Sequence, residues 1–251
     1  IASGHYDVGV AIGVESMTTS PIARKLIPPG KDDIEGQLGL TMPAVFALLA
    51  RRQMHESGAT PEDFAQVSVK NHHHGCLNPY AQYKKEFTIE EVLASRMICE
   101  PITLLQCCPN TDGSAAVILC SMDFARKHTT NPVKIAGSAL LSAGYSWQQK
   151  DITSSPLGVE TARRAYEMAG CGPEDIDLVE LHDAFSTEEI LRYEDLGLCK
   201  PGEGVAFLRS GAPALGGKVP VNPSGGLLSL GHPLSASGVR VVAEVTTHLR
   251  G

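Results

Sequence analysis

Residues 218–240 read KVPVNPSGGLLSLGHPLSASGVR, and one histidine in this stretch, His232, sits between two residues that fix its backbone. Pro233 pushes its predecessor out of the helical region into an extended conformation, and Gly231 lets the chain pass close to a neighbour or take positive φ. The imidazole is thereby held on a stiff loop. Beyond it, Ser235 or Ser237 is a candidate cap for a helix whose apolar positions Val239, Val242, Ala243 and Leu249 recur near a 3.6-residue period, with Gly251 as its stop. A loop that ends on a helix N-terminus meets backbone donors and a dipole that favour an anion.

Upstream, VELHDAFSTEEI at 179–190 carries a second histidine, His182, again between an apolar run and a helix start. Ser186 and Glu189 have the spacing of a capping box, and Phe185 and Ile190 that of a hydrophobic staple. His182 is therefore expected in the loop just before a capped helix.

HDAFS at 182–186, NPSGG at 222–226 and GHPLSASG at 231–238 together resemble the C-terminal half of a thiolase. Within that superfamily the chain resembles the sterol-carrier-protein-x type, which has a histidine where most thiolases have Asn-Glu-Ala-Phe. NPY at 78–80, ITLLQCCPNTDGSAA at 102–116 and YEDLGLC at 193–199 extend the resemblance to nearly the whole chain.

With 251 residues, 43% of them hydrophobic and 20% charged, the chain has enough apolar material for one large or two small cores. A net charge of -7, with no Lys/Arg cluster longer than the pairs at 51–52, 84–85 and 163–164, excludes a nucleic-acid footprint. Seven cysteines, an odd number without a regular framework, fit a reducing compartment. No run approaches the ~20 apolar residues needed to span a bilayer, and the N-terminus lacks signal-peptide order. The expected location is cytoplasmic, or peroxisomal for a eukaryotic source.

Residues 6–17 (YDVGVAIGVESM) have the length and β-branched content of a buried strand. From about 20 to 98 the pattern changes, with a helix over Met42–His55 and another starting at Thr60-Pro61-Glu62-Asp63, which reads as a separate subdomain. His72, His73 and His74 with Cys76 nearby invite a metal reading, but adjacent side chains diverge and no second cluster completes a tetrahedral site. Polar loop residues and no metal are expected. Ser114–Leu119 is a second strand that should lie beside the first, and Val133–Leu141 a third, after the break at Asn131-Pro132. A helix over 158–169 stops at Gly170, and Leu178–Leu181 is a short strand delivering His182.

This alternation of strands and helices argues for α/β layering with sheets covered on both faces. The resemblance implies a thiolase-like five-layered α/β/α/β/α body made of two similar halves and a loop domain. Residues 1–130 would be the later part of the N-terminal half, with the loop domain inserted at about 20–98, and residues 131–251 an incomplete C-terminal half. It also implies a nucleophilic cysteine upstream of residue 1 and closing strands beyond Gly251, so the chain alone is expected to be inactive.

The activity implied is that of an acyltransferase of the thiolase type acting on 3-ketoacyl-CoA in fatty acid or sterol side-chain breakdown. Such a reaction needs a thiolate, a base that generates it and donors for a thioester enolate. By resemblance His232 is the partner of the thiolate and an oxyanion donor, and His182 supplies a second donor, worth roughly 3 kcal/mol each in such sites. Cys108, Asn222, Gly225, Gly226 and Ser235 are the candidate substrate-binding positions. Asp183 and Glu180 are assigned no proton transfer. Coenzyme A is expected as substrate and no further cofactor, in a homodimer or homotetramer, with a small partner protein as a further candidate.

One departure matters. The sterol-carrier-protein-x pattern is His-Asp-Cys-Phe, with the cysteine as second acid/base, and this chain has Ala184. Ala184 favours a non-catalytic acyl-CoA-binding protein. A thiolase-like retro-aldolase working with a partner is the other alternative, although such enzymes replace the histidines that this chain keeps. A serine hydrolase lacks its Gly-x-Ser-x-Gly.

Overall fold

A computed structural model of the chain describes residues 1–19, 33–142 and 151–251. Its first elements are β1 (Val8–Ser16), α1 (Ile34–Gln37), α2 (Met42–Ser57), α3 (Pro61–Cys76), α4 (Ile89–Ala94), β2 (Met97–Cys99), β3 (Ile102–Thr103) and β4 (Asp112–Cys120). There follow α5 (Met122–His128), α6 (Pro156–Ala169), α7 (Ser186–Asp195), α8 (Gly204–Arg209), α9 (Gly226–Leu230) and α10 (Leu234–Arg250).

The two long strands pair antiparallel as expected, in an unbroken register from Val8 opposite Cys120 to Ser16 opposite Asp112. Everything between them leaves from one end of this ribbon and returns to it. Helix α10 packs on one face of the pair, and the Ser235 hydroxyl donates to the Val14 carbonyl. The other face corrects the expectation of full burial: Val10, Ile12, Val14 and Ile118 are 59–71% exposed. Side chains alternate along a strand, so one helix covers one set only.

Helix α2 ends in Gly58 at φ 65°, and α3 begins three residues later with Pro61 in its first turn. The Thr60 N–H donates to the Asp63 carboxylate at 2.7 Å, and Asp63 also receives Arg209 of α8 at 2.7 and 2.8 Å. Helix α3 then continues through His72–His74, which corrects their reading as loop residues. It is the central helix, packed against α4, α7, α8 and α9. Most of its surface is buried, with Glu62 and His73 as its exposed positions, and Lys70, Asn71 and His74 find partners inside the protein. His74 Nδ1 bonds the Asn222 carbonyl at 2.9 Å and its Nε2 accepts from the Leu215 N–H at 3.1 Å, whereas His73 faces outward to Glu86.

The expected strands at Val133–Leu141 and Leu178–Leu181 do not form ladders among the described residues. A strand exists only where a neighbour completes its hydrogen bonds. Only Val179 has one, in a single parallel bridge with Val221, through Val179 N–H to Pro220 O at 2.9 Å and Asn222 N–H to Val179 O at 2.7 Å. The α6 expectation holds more closely: the helix starts at Pro156, capped by Ser155, and ends in Gly170 at φ 71°.

His72 lies 1% exposed between the rings of Tyr83 and Phe87, and burial pulls its pKa down to about 4. An unfolded chain therefore binds a proton between pH 6.5 and about 4 that the folded chain refuses, so stability is lost as pH falls through this window. His72→Phe keeps a ring in the slot and removes the titration. Urea titrations across pH 4–6.5 should show a stability slope shallower than wild type by up to about 1.4 kcal/mol per pH unit. Identical slopes would refute the assignment. Glu180, pushed up to about 7 by burial, contributes with the opposite sign, and the comparison with wild type cancels it.

Candidate active site

The two loop histidines come together. The ring centroids of His182 and His232 are 5.0 Å apart with planes at 79°, an edge-to-face arrangement. Each histidine precedes a helix, and each is held at Nδ1 by a residue in that helix's first turn. Side chains on a helix lean toward its N-terminus, so first-turn residues reach back to the loop they follow.

For His232 the holding residue is Ser237, at 2.8 Å, and the Ser237 hydroxyl in turn donates to the Pro233 carbonyl at 2.9 Å. With the hydroxyl proton used there, Nδ1 carries the imidazole proton and Nε2 is left with a free lone pair. Burial, reinforced by the charges of His182 and Arg240, lowers the His232 pKa to about 4, so the ring is neutral at pH 7. A neutral imidazole with an open Nε2 accepts protons. Helix α10 starts at Leu234, so neither Ser235 nor Ser237 is its cap. Both hydroxyls are drawn away, to Val14 and to His232.

For His182 the holding residue is Glu188, whose Oε2 lies 3.1 Å from Nδ1. The other oxygen of Glu188 accepts from Arg192 at 2.9 Å, and Arg192 also reaches Asp195 at 2.6 Å. The expected capping box at Ser186 and Glu189 is absent. Ser186 Oγ is buried without a partner, and Glu189 is drawn into the interior. There it meets Lys70 Nζ at 2.9 Å, Asn71 Nδ2 at 2.8 Å, Asn222 Nδ2 at 2.8 Å and the Tyr193 hydroxyl.

This buried network also takes up Asp183 and Asn222. Asp183 accepts from Leu227 N–H at 2.6 Å and from Asn71 at 2.8 Å, and burial beside Glu189 pushes its carboxyl well above the ordinary range. Asn222, at φ 52°, accepts from Leu181 N–H at 2.9 Å while its amide donates to Glu189. Its side chain fixes the base of the His182 loop. Gly226 packs on Asp183: a Cβ there would lie 2.2 Å from the carboxylate oxygen Oδ2. Gly225 turns the chain against α3.

A third segment joins the two histidine loops. Cys107 bridges Phe185, Cys108 N–H donates to Ala184 O at 2.8 Å, and His232 N–H donates to Pro109 O at 3.2 Å beside a parallel bridge from Asn110. The half-buried Cys108 thiol is pushed up there to about 12, first by desolvation and then by Asp183, so it stays protonated. Gly231 makes the approach possible. At φ 92°, a Cβ on it would lie 2.0 Å from the Thr111 hydroxyl. From the other side Arg240, half-buried in α10, donates to the Gly231 carbonyl at 2.9 Å.

Of the sequence candidates, His182 and His232 meet, Cys108 lies between their loops, Asn222, Gly225 and Gly226 build the floor, and Ser235 ties α10 to β1. Glu188, Arg192 and Arg240 escaped the sequence reading, and Ser237 entered it only as a helix cap. For Glu188 and Ser237 the signal was position, since a polar residue in the first turn after a loop histidine is aimed at it, whereas Arg192 and Arg240 lie a turn further on. Among the described residues no group of three or more His, Cys, Asp or Glu side chains is placed to hold a metal ion, and no helix is long and apolar enough to cross a membrane.

Two family profiles match the chain, "Thiolase, N-terminal domain" over residues 1–123 and "Thiolase C-terminal domain-like" over residues 139–251. The chain belongs to the thiolase superfamily and has its layered α/β fold. It is 44% identical over 251 residues to the benzoylsuccinyl-CoA thiolase subunit BbsB of Thauera aromatica, covering 100% of this chain and 65% of that protein. It is 40% identical over 267 residues to sterol carrier protein 2 of Bos taurus, covering 100% of this chain and 49% of that protein. Among solved structures, the Ltp2-ChsH2(DUF35) aldolase superposes with a TM-score of 0.84 at 32% identity, over 97% of this chain and 65% of that one. The chain thus spans from about half to two thirds of the length of these relatives.

Proposed function

We propose that the full protein is an acyltransferase of the thiolase type, acting on a 3-ketoacyl-CoA with coenzyme A as the second substrate. The observation that carries this reading is the His182–His232 pair, in which one ring is neutral with an open Nε2 and the other is backed by a carboxylate. In this reading His232 takes the proton of a cysteine thiol, and the thiolate attacks the C3 carbonyl. The C2–C3 bond then breaks, its electrons passing into the thioester enolate, while the acyl group stays on sulfur. The Nε2–H that His232 gains from the thiol, and that of His182 when it carries its proton, stabilise the enolate oxygen. The nucleophilic cysteine is assigned to a part of the protein upstream of residue 1.

Residues 1–130 serve in this proposal as the later part of the first thiolase half, with the loop domain at about 20–98, and residues 131–251 as part of the second. The protein acts as a homodimer or homotetramer. A smaller partner protein is part of the proposal, supported by the subunit status of the Thauera relative and by the two-component name of the aldolase. That aldolase likeness also favours a second reading, a partner-dependent retro-aldol cleavage.

Thiolysis of 3-ketoacyl-CoA by the full protein, with acyl-enzyme trapped for mass spectrometry, tests the proposal. CoA-dependent cleavage through an acylated cysteine is expected. Cleavage of a 3-hydroxyacyl-CoA without any acylated cysteine would replace it with the aldolase reading, and tight CoA-ester binding without turnover would replace it with a binding protein, as Ala184 favours.

A further inference from the structure

Within the loop that carries His182, from Leu181 to Phe185, Asp183 is fully buried with both oxygens bonded, and the other side chains apart from His182 are apolar. His182 is thus the one titratable group of this loop that reaches the site, its side chain 53% exposed. The carboxylate behind it has the opposite character: the Glu188 side chain is only 6% exposed. A buried carboxylate persists where its oxygens are fully paired. Here one oxygen meets Arg192, which Asp195 holds in place, and the other meets the histidine. The chain Asp195, Arg192, Glu188 therefore ends on Nδ1 of the half-exposed His182.

We infer that Glu188 is a positioning residue of this site, its carboxylate holding the His182 ring proton on Nδ1 so that Nε2 is the nitrogen that takes up and returns a proton. A carboxylate has no donor, so only the Nδ1–H tautomer makes this bond. Arg192 fixes the carboxylate's rotamer, and the charge gained when Nε2 binds a proton is balanced within 3.1 Å. His232 differs in kind, because its Nδ1 meets a neutral hydroxyl and its surroundings disfavour the cation. Two rings 5.0 Å apart with environments of opposite character divide acid and base work between them. His232 accepts from the nucleophile, and His182 carries the proton exchanged with the departing fragment.

The inference rests on the thiolase reading only for its kinetic readout. In the full protein, 15N chemical shifts of the imidazole nitrogens should show neutral His182 protonated on Nδ1, and Glu188→Gln should shift the ring toward Nε2 protonation, since an amide can donate as well as accept. The same variant should lower kcat about 10- to 100-fold, the range for carboxylates that orient a functional histidine, with KM unchanged. A wild-type ring protonated on Nε2 alone would overturn the inference without any variant, so a poorly folding Glu188→Gln does not rescue it. An unchanged tautomer in a folded Glu188→Gln would also overturn it. A wild-type protein with the expected tautomer but no thiolysis would sink the functional reading and leave the positioning role standing.

Discussion

Replacing His232 by alanine should abolish acyl-enzyme formation by the full protein while leaving CoA binding close to wild type. The ring is neutral at pH 7, its Nδ1 proton is committed to Ser237, and its Nε2 is open, so it has the state and tautomer of a general base. Cysteine is ionised only in minor part near neutrality, and removing the group that takes its proton should slow acylation by about 10²- to 10⁴-fold. In the buried network of Asp183, Asn222 and Glu189, no group depends on the His232 imidazole for a partner. The variant should therefore fold. Mass spectrometry after exposure to substrate reads the acylated cysteine directly, and a wild-type yield and rate would show that another group generates the thiolate.

The second large effect is on stability. Lys70 is 5% exposed, and its ammonium donates to Glu189 at 2.9 Å and to the Val221 carbonyl at 2.8 Å, with Asn71 as a third acceptor. Lys70→Met preserves the volume of the stem and leaves Glu189, 0% exposed, without its counter-charge. Breaking a buried pair by removing one partner typically costs about 3–5 kcal/mol, because the remaining charge has lost its compensation. Chemical denaturation should show a loss of that order. A loss below about 1 kcal/mol, the worth of an exposed ion pair, would mean that the interior is wetter than its packing indicates. A double variant that also neutralises Glu189 as Gln should recover part of the loss.

Much of the site was legible because its signals are local. Gly231 and Pro233 flank His232 directly, and the apolar run before His182 with the helix after it placed that residue in a loop. The β1–β4 pairing was legible from two runs of strand length. The interior was not. Asn71 reaches Asp183 across 112 positions and Glu189 across 118, and nothing near Asn71 in the sequence announces either partner. For the same reason His72 to His74 read as polar loop residues: a helix buried over most of its circumference shows only a narrow polar stripe, and inward polar residues such as His74 are matched by distant ones. Glu189 was misjudged in the complementary way. Its spacing from Ser186 fits a cap, but a lysine buried beside it is a stronger claim on a carboxylate than a backbone N–H at the helix start.

Segment 107–110 lies across both histidine loops and runs on within two residues into β4, which β1 holds in strict register. The separation of the two rings is therefore set by counting residues along one extended strand, and not by the stiffness of either loop. Consecutive residues in such a strand advance about 3.3 Å, so a one-residue insertion or deletion between Cys108 and Asn110 would slide one imidazole past the other by most of their present spacing. Side chains of the two loops that make none of these contacts, unlike Gly231, can change while the pair stays aligned. The length of this short connector cannot.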